Sequence, residues 1–434
     1  MGSVSASHNP YAGQRTTPGP VHPPVFPVDL RIDLKRHDLY LAGTPAAEVT
    51  ALRQAAPIFW HPENEANEPG FWVLTRHADI QAVSKNPTLF SSEIGAGALL
   101  SFDENRRQPL TPEALAIRRA NMVNMDPPDH RTYRSIVMPY LAGPASKRLE
   151  PAVVERIAAL LDTIKRGETF DLVSTFSAVT PAATMCHLLG VPDEDRDMVV
   201  EWGDKLAAVG DPALADDVAA TYAKVYKYGM ELFERKRTAP GNDLLSAAHE
   251  ALAKADRPLR PYSVESLFSL MIVAGHRTTR NTTTSGLLAL YRHPEQIALL
   301  RSQPDLISNA IEEILRYSTV VPLFRRTATA DTEIAGQRIA AGEKVVMWYS
   351  AANRDESIFP DPDRFDITRA EARKHLTFGH GEHMCVGNMV ARLQLRIAIA
   401  AFIDKFDTLE VVEPPEYLRT NQAVSIKQVM VRVG

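Results

Sequence analysis

Residues 378–387 read FGHGEHMCVG and lead into a long apolar segment. The glycines at positions 379 and 381 let the backbone bend tightly and approach a flat ligand closely. Cys385 stands alone at the start of the predicted helix, where the positive end of the helix dipole favours the thiolate. An isolated cysteine is otherwise most often a buried free thiol, so the surrounding residues decide between the two interpretations.

The residues around Cys385 favour the interpretation that its thiolate is a metal ligand. A thiolate axial ligand to haem iron requires backbone amides and glycines around the sulfur. The spacing F-G-x-G-x-H-x-C-x-G is met by Phe378, Gly379, Gly381, His383, Cys385 and Gly387. This loop resembles the haem-binding loop of the cytochrome P450 family, the haem-thiolate monooxygenases. The resemblance implies that Cys385 binds the iron of haem b, and that Phe378, Gly379 and Gly387 contact the cofactor.

The chain as a whole predicts one large folded unit. It has 434 residues, of which 45% are hydrophobic and 23% charged, so it can bury a large core. Residues 1–27 contain six prolines and little apolar periodicity, which predicts a disordered leader before a single domain over 28–434. The net charge of −5 argues against general nucleic-acid binding.

No apolar stretch reaches the roughly 18 residues that span a bilayer, and no signal peptide is visible. We therefore expect a cytoplasmic protein without a membrane anchor, like the soluble bacterial members of the family. The other cysteine, Cys186, lies in an apolar helical run and is predicted to be a core residue.

The predicted fold is mainly α with small peripheral β-sheets. Short strands are expected at 57–60 and 71–74, mostly helices over 112–317, strands over 327–347, a helix over 388–406 and short strands in the tail. The resemblance covers residues 50–434 and implies the cytochrome P450 fold, with a long central helix over the haem.

Glu313 and Arg316 are three residues apart on a predicted helix, a spacing that usually gives a solvated ion pair. Here it resembles the E-x-x-R motif of the family. The resemblance implies a buried network behind the haem, with Arg364 as the expected third member.

Basic residues elsewhere match the partners of the haem propionates. His130 and Arg134 lie one turn apart after a pair of prolines that starts a helix. Propionates require cationic or N–H donors. The resemblance adds Arg326 and His383 to this set.

Residues 271–281 read MIVAGHRTTRN and resemble the centre of the helix that crosses the haem. The resemblance implies that the small Ala274 and Gly275 leave room for dioxygen and for a local opening of the helix. It also implies that Thr278 holds a water molecule by hydrogen bonding. The family places an acid where this chain has Arg277, which effectively cannot relay protons. Three accounts remain open: Arg277 pairs with an acid and leaves proton delivery to water and Thr278, oxygen activation is slow or peroxide-driven, or the reaction is unusual.

Segments that contact substrate in the family are largely apolar here, which suits a hydrophobic molecule of terpenoid, steroid or alkyl-chain type. They are residues 94–102, 202–209, 270–274, 320–324 and 423–425. No nucleotide-binding glycine motif follows a strand, so electrons are expected from a separate ferredoxin and its reductase, and Arg373, Lys374 and Arg392 could form the docking patch.

The sequence thus predicts a monooxygenase that inserts one oxygen atom of O₂ into a C–H bond. The alternatives are a peroxide-dependent or non-hydroxylating member of the family, which would catalyse desaturation, coupling or rearrangement, and a non-catalytic haem-binding protein.

Overall fold

The computed structural model describes residues 33–34, 36–62, 70–94, 111–208, 214–254 and 260–434. The leader predicted for 1–27 and the predicted substrate contacts at 95–102 and 209 lie outside the described residues. The extent of the single domain, 28–434, stays a prediction.

Helices dominate the structure, as the sequence predicted. They are α1 (Ala46–Ala55), α2 (His77–Ser84), α3 (Pro112–Arg119), α4 (Asp129–Leu141), α5 (Gly143–Thr163), α6 (Val179–Leu189), α7 (Arg196–Ala207), α8 (Ala215–Thr238), α9 (Leu244–Lys254), α10 (Ser263–Arg292), α11 (Pro294–Ser302), α12 (Ile307–Ser318), α13 (Tyr349–Ala352) and α14 (Asn388–Lys405).

The strands form small sheets. They are β1 (Ile58–His61), β2 (Phe71–Leu74), β3 (Phe90–Ser91), β4 (Thr169–Asp171), β5 (Leu323–Ala328), β6 (Thr332–Ile334), β7 (Gln337–Ile339), β8 (Lys344–Trp348), β9 (Leu409–Val411), β10 (Glu416–Tyr417), β11 (Ile426–Gln428) and β12 (Met430–Val433). One sheet has the order β1-β2-β8-β5-β3, in which β2 and β8 are parallel and the other pairs antiparallel. The smaller sheets are β4-β12-β9, β10-β11 and β6-β7.

Helix α10 is the centre of the helical part. It has 30 residues and packs against α6, α7, α8, α12 and α14. Two glycines allow this close packing: a Cβ on Gly229 of α8 would lie 3.0 Å from Phe268, and one on Gly203 of α7 would lie 3.1 Å from Ile272. The long buried helix predicted to cross the haem is therefore present.

Within the described part of the chain, no helix combines the length and the apolar character that crossing a membrane demands.

Candidate functional site

The loop that carries Cys385 is held by its own backbone. The Cys385 N–H donates to the Phe378 carbonyl at 2.8 Å, and the Asn388 side-chain amide donates to the Cys385 carbonyl at 2.6 Å. Gly379 and Gly381 have φ values of +70° and +68°, which favour glycine, and a Cβ on Gly381 would collide with the Ser84 carbonyl. The tight bend expected from these glycines is therefore present.

The Cys385 side chain is accessible to solvent, yet the surrounding protein desolvates its sulfur. Both observations fit a sulfur at the floor of a concave site. This desolvation raises the thiol pKa, although the Gly387 amide and the charges of Arg134 and Arg392 act to lower it. Helix α14 begins at Asn388, three residues after the cysteine.

Gly387 has a different reason to be glycine. Its φ is −86°, which any residue can adopt, and a Cβ built there meets no heavy atom within 4 Å. The space beside Gly387 is thus open to a ligand. This open space, next to a thiol, fits the face of a flat cofactor.

Four basic side chains predicted from separate parts of the sequence share one electrostatic environment. His130 of α4 and Arg326 of β5 are buried, and the His130 and His383 ring centroids are 4.0 Å apart. Burial and neighbouring cations, Arg134 among them, lower the pKa of His130 to about 4 and that of His383 to about 2. Burial likewise lowers the pKa values of Arg134 and Arg326.

Such crowding of donors is unfavourable unless anions compensate it. Glu382 supplies part of the compensation, since a carboxylate oxygen lies 3.9 Å from His130 Nδ1 and 2.5 Å from Arg131 Nε. A ligand with two carboxylates would supply the rest, and the donor set therefore fits the propionates of haem.

The E-x-x-R pair is fully buried. Arg316 donates to both carboxylate oxygens of Glu313, at 2.7 and 2.8 Å, and to the carbonyls of Asn353 and Pro362. Each buried charge therefore has a charged partner, as such groups require.

The prediction of Arg364 as the third member was wrong. The side chain of Arg364 is 64% exposed and lies 3.7 Å from Asp366, whereas Arg369 is buried and lies 3.3 Å from Glu313. Arg369 also donates to the carbonyls of Pro360, Asp361 and Arg364. The irregular backbone between residues 359 and 369 turns the later arginine inward, and the sequence holds no periodic signal for that choice.

On α10, Ala274 and Thr278 lie on the accessible side of the helix. The Thr278 hydroxyl donates to the Ala274 carbonyl at 2.7 Å, the back-bond of an ordinary helical threonine. The helix is continuous from Ser263 to Arg292, so the expected local opening is not observed. A Cβ on Gly275 would collide with the Met185 sulfur of α6, so the small size of Gly275 serves the packing of these two helices. That it also leaves room for dioxygen stays a prediction.

Arg277 is buried rather than solvated. Burial lowers its pKa to about 10, with Tyr222 and Arg280 as the neighbouring influences. Asp204 of α7 is an acidic neighbour of this part of α10. Its Oδ1 lies 2.5 Å from Arg280 Nη1 and 3.8 Å from His276 Nδ1. Burial, reinforced by Arg280, lowers the pKa of His276 to about 3, so it is neutral near pH 7.

The predicted substrate segments are only partly accessible. Val320, Leu323 and Val424 are at most 5% exposed, and Leu323 belongs to a core cluster against the five-stranded sheet. Leu270 and Val273, on the side of α10 that carries Ala274, are half-buried.

Comparison with known proteins agrees with this arrangement. The family described as Cytochrome P450 matches residues 215–432. Linalool 8-monooxygenase of Pseudomonas putida is 35% identical over 407 residues, covering 92% of this chain and 98% of that protein. Steroid C26-monooxygenase of Mycobacterium tuberculosis (strain ATCC 25618 / H37Rv) is 32% identical over 425 residues, covering 96% and 94%. The solved structure of cytochrome P450-153 from Novosphingobium aromaticivorans superposes with a TM-score of 0.82 at 32% identity, covering 93% of this chain and 99% of that one.

Proposed function

The chain belongs to the cytochrome P450 family as a haem-thiolate monooxygenase, and we propose that Cys385 is its iron ligand. One observation carries the proposal: the exposed Cys385 lies in the same site as four buried or half-buried basic side chains from α4, β5 and the cysteine loop. A thiolate and a set of propionate partners are what this cofactor requires of a protein.

Each side of the cofactor then has its own residues. Phe378, Gly379 and Gly387 would contact haem on the side of Cys385, and His130, Arg134, Arg326 and His383 would bind its propionates. Ala274, which is exposed on α10, would leave space for dioxygen. When bound, haem supplies the oxygen-activating chemistry that inserts one atom of O₂ into a C–H bond and releases the other as water.

Thr278 is the residue that would hold the water molecule for proton supply. Its hydroxyl proton is held by the Ala274 carbonyl, so the oxygen lone pairs stay available to accept from a water molecule. Arg277 cannot act as the acid at neutral pH, and its burial keeps it on another side of α10. A water molecule held by Thr278 would therefore deliver the protons, and the product formed per NADPH consumed should fall in Thr278→Ala. If proton delivery limits turnover, Arg277→Glu should raise that ratio; no change or a fall would count against a limiting proton step.

The proposed substrate is a hydrophobic molecule of terpenoid, steroid or alkyl-chain type. The relatives named for linalool and for steroid oxidation support this class, as do the apolar side chains Leu270 and Val273 beside Ala274. The protein's contribution is to exclude water and to place one C–H bond over the iron.

The proposed electron donor is a ferredoxin. Arg373 and Lys374 are exposed shortly before the cysteine loop, and Met384 and Met389 are 41% and 44% exposed on either side of Cys385. Exposed basic and apolar side chains around one site suit an acidic partner. If so, Arg373→Ala with Lys374→Ala should weaken reduction by an acidic ferredoxin most at low ionic strength.

The carbon-monoxide difference spectrum of the reduced, haem-loaded protein tests the ligand directly. Thiolate ligation predicts the red-shifted maximum of a haem-thiolate protein, and Cys385→Ser should abolish it. A maximum like that of a histidine-ligated haem in the unaltered protein would refute Cys385 as the ligand. A screen of hydrophobic compounds for the Soret shift that follows loss of iron-bound water would then identify the substrate.

A further inference from the structure

Glu312, the residue before the E-x-x-R glutamate, holds a second buried ion-pair network. It is 4% exposed, and Arg392 of α14 binds it with two hydrogen bonds, Nε at 2.7 Å and Nη2 at 2.9 Å. His375 Nε2 lies 3.0 Å from the same carboxylate. Although burial acts to raise it, the hydrogen bonds from His375 and Arg392 hold the pKa of Glu312 at about 2. The carboxylate is thus a fixed negative charge.

Arg392 reaches the cysteine loop from both sides. Its Nη1 donates to the Asn388 side-chain carbonyl at 2.8 Å, and the Asn388 amide donates to the Cys385 carbonyl at 2.6 Å. Its guanidinium carbon lies 4.6 Å from the centre of the Phe378 ring, and the Phe378 carbonyl accepts the Cys385 N–H. Both backbone groups of the cysteine are therefore linked to one guanidinium.

The same guanidinium acts on the sulfur through its charge. The charge of Arg134 and, to a smaller extent, that of Arg392 favour the thiolate at Cys385, against the larger effect of burial on the thiol pKa. The Arg392 side chain is only 31% exposed, so solvent screens its charge incompletely. A bidentate pair with a buried carboxylate also holds the guanidinium in one place.

We propose that Arg392 is a positioning residue of the cofactor site, which orients the Cys385 loop and raises the reduction potential of the iron, with Glu312 as the opposing charge. The proposal rests on Cys385 being the iron ligand. It also gives Arg392 a task other than the docking patch expected from the sequence, since its charge is directed towards Glu312 and Phe378.

The test is spectroelectrochemical titration of the haem-loaded protein and its variants. Removing a positive charge near the iron stabilises the ferric state, so Arg392→Met should lower the potential. Removing the negative charge in Glu312→Gln should raise it. We expect each change to shift the ferric–ferrous equilibrium by about tenfold, which is 59 mV for one electron. The double variant should return close to the unaltered protein.

Opposite signs separate a charge effect from simple loosening of the loop, because loosening would move both single variants in the same direction. Arg396→Met is the matched control: Arg396 lies one turn further along α14 and pairs with Glu150 instead. Shifts of the same sign in both single variants, or an unchanged potential in Arg392→Met, would overturn the proposal. If the unaltered protein lacks the haem-thiolate carbon-monoxide spectrum, the ligand assignment itself fails, and the two failures are distinguishable.

Discussion

Two arginines of the same irregular segment are predicted to differ sharply in their contribution to stability. Arg369 is 5% exposed in its side chain and lies 3.3 Å from the buried carboxylate of Glu313. Arg364, five residues earlier, is 64% exposed in its side chain. Substituting each by methionine keeps an unbranched apolar stem and removes the charge, so the two variants form a matched pair.

The expected magnitude follows from what each variant leaves behind. Arg369→Met leaves Glu313 with Arg316 and the Asp366 N–H, but deprives a buried carboxylate and three carbonyls of a charged donor. Breaking a buried pair costs about 3–5 kcal/mol, and the lower end applies because Arg316 stays in place. Arg364→Met removes a surface pair worth less than about 1 kcal/mol.

Urea denaturation of the haem-loaded proteins measures the difference in the free energy of unfolding. For a chain of this length a loss of about 3 kcal/mol corresponds to a fall in Tm of about 3 °C. Equal losses in the two variants, or a loss below about 1 kcal/mol in Arg369→Met, would show that the carboxylate network does not depend on Arg369.

Three other experiments test separate parts of the structure. His276 has a pKa of about 3 in the fold and 6.5 as a free side chain, so the unfolded chain binds its proton first as the pH falls. The stabilising effect of His276 is complete above pH 6.5 and is lost as the pH falls towards 3. His276→Gln should therefore reduce the slope of the unfolding free energy against pH in this range by up to about 1.4 kcal/mol per pH unit. Equal slopes in the variant and the unaltered protein would contradict this prediction. Gly275→Ala should destabilise the protein by about 1–3 kcal/mol through overpacking, and adding Met185→Ala should cost less than the sum of the single changes; additive losses in thermal unfolding would argue against that contact. Gly387→Leu should leave the stability of the cofactor-free protein unchanged but reduce its haem content, measured as the ratio of Soret to protein absorbance; normal haem loading would show that the open space is not the cofactor's.

What the sequence predicted well lies within short stretches of chain. The spacing around Cys385 and between Glu313 and Arg316 is local, and a loop or a single helix turn reproduces it in space. The residues it missed depend on long-range packing. Nothing near Arg369 in the sequence distinguishes it from Arg364, and the small size of Gly275 does not reveal that Met185 is its neighbour.

The two glutamates at positions 312 and 313 show how one helix turn organises the thiolate side of the site. Neighbouring helical residues point about 100° apart, so their carboxylates leave α12 in different directions. Glu313 binds Arg369 of the irregular segment, and Glu312 binds Arg392 of the helix after the cysteine loop. The two segments on either side of the cysteine loop are therefore placed relative to each other by consecutive residues. A shift of α12 by one residue would separate both pairs at once. On α10 the charges instead meet a partner from α7, as Arg280 does with Asp204.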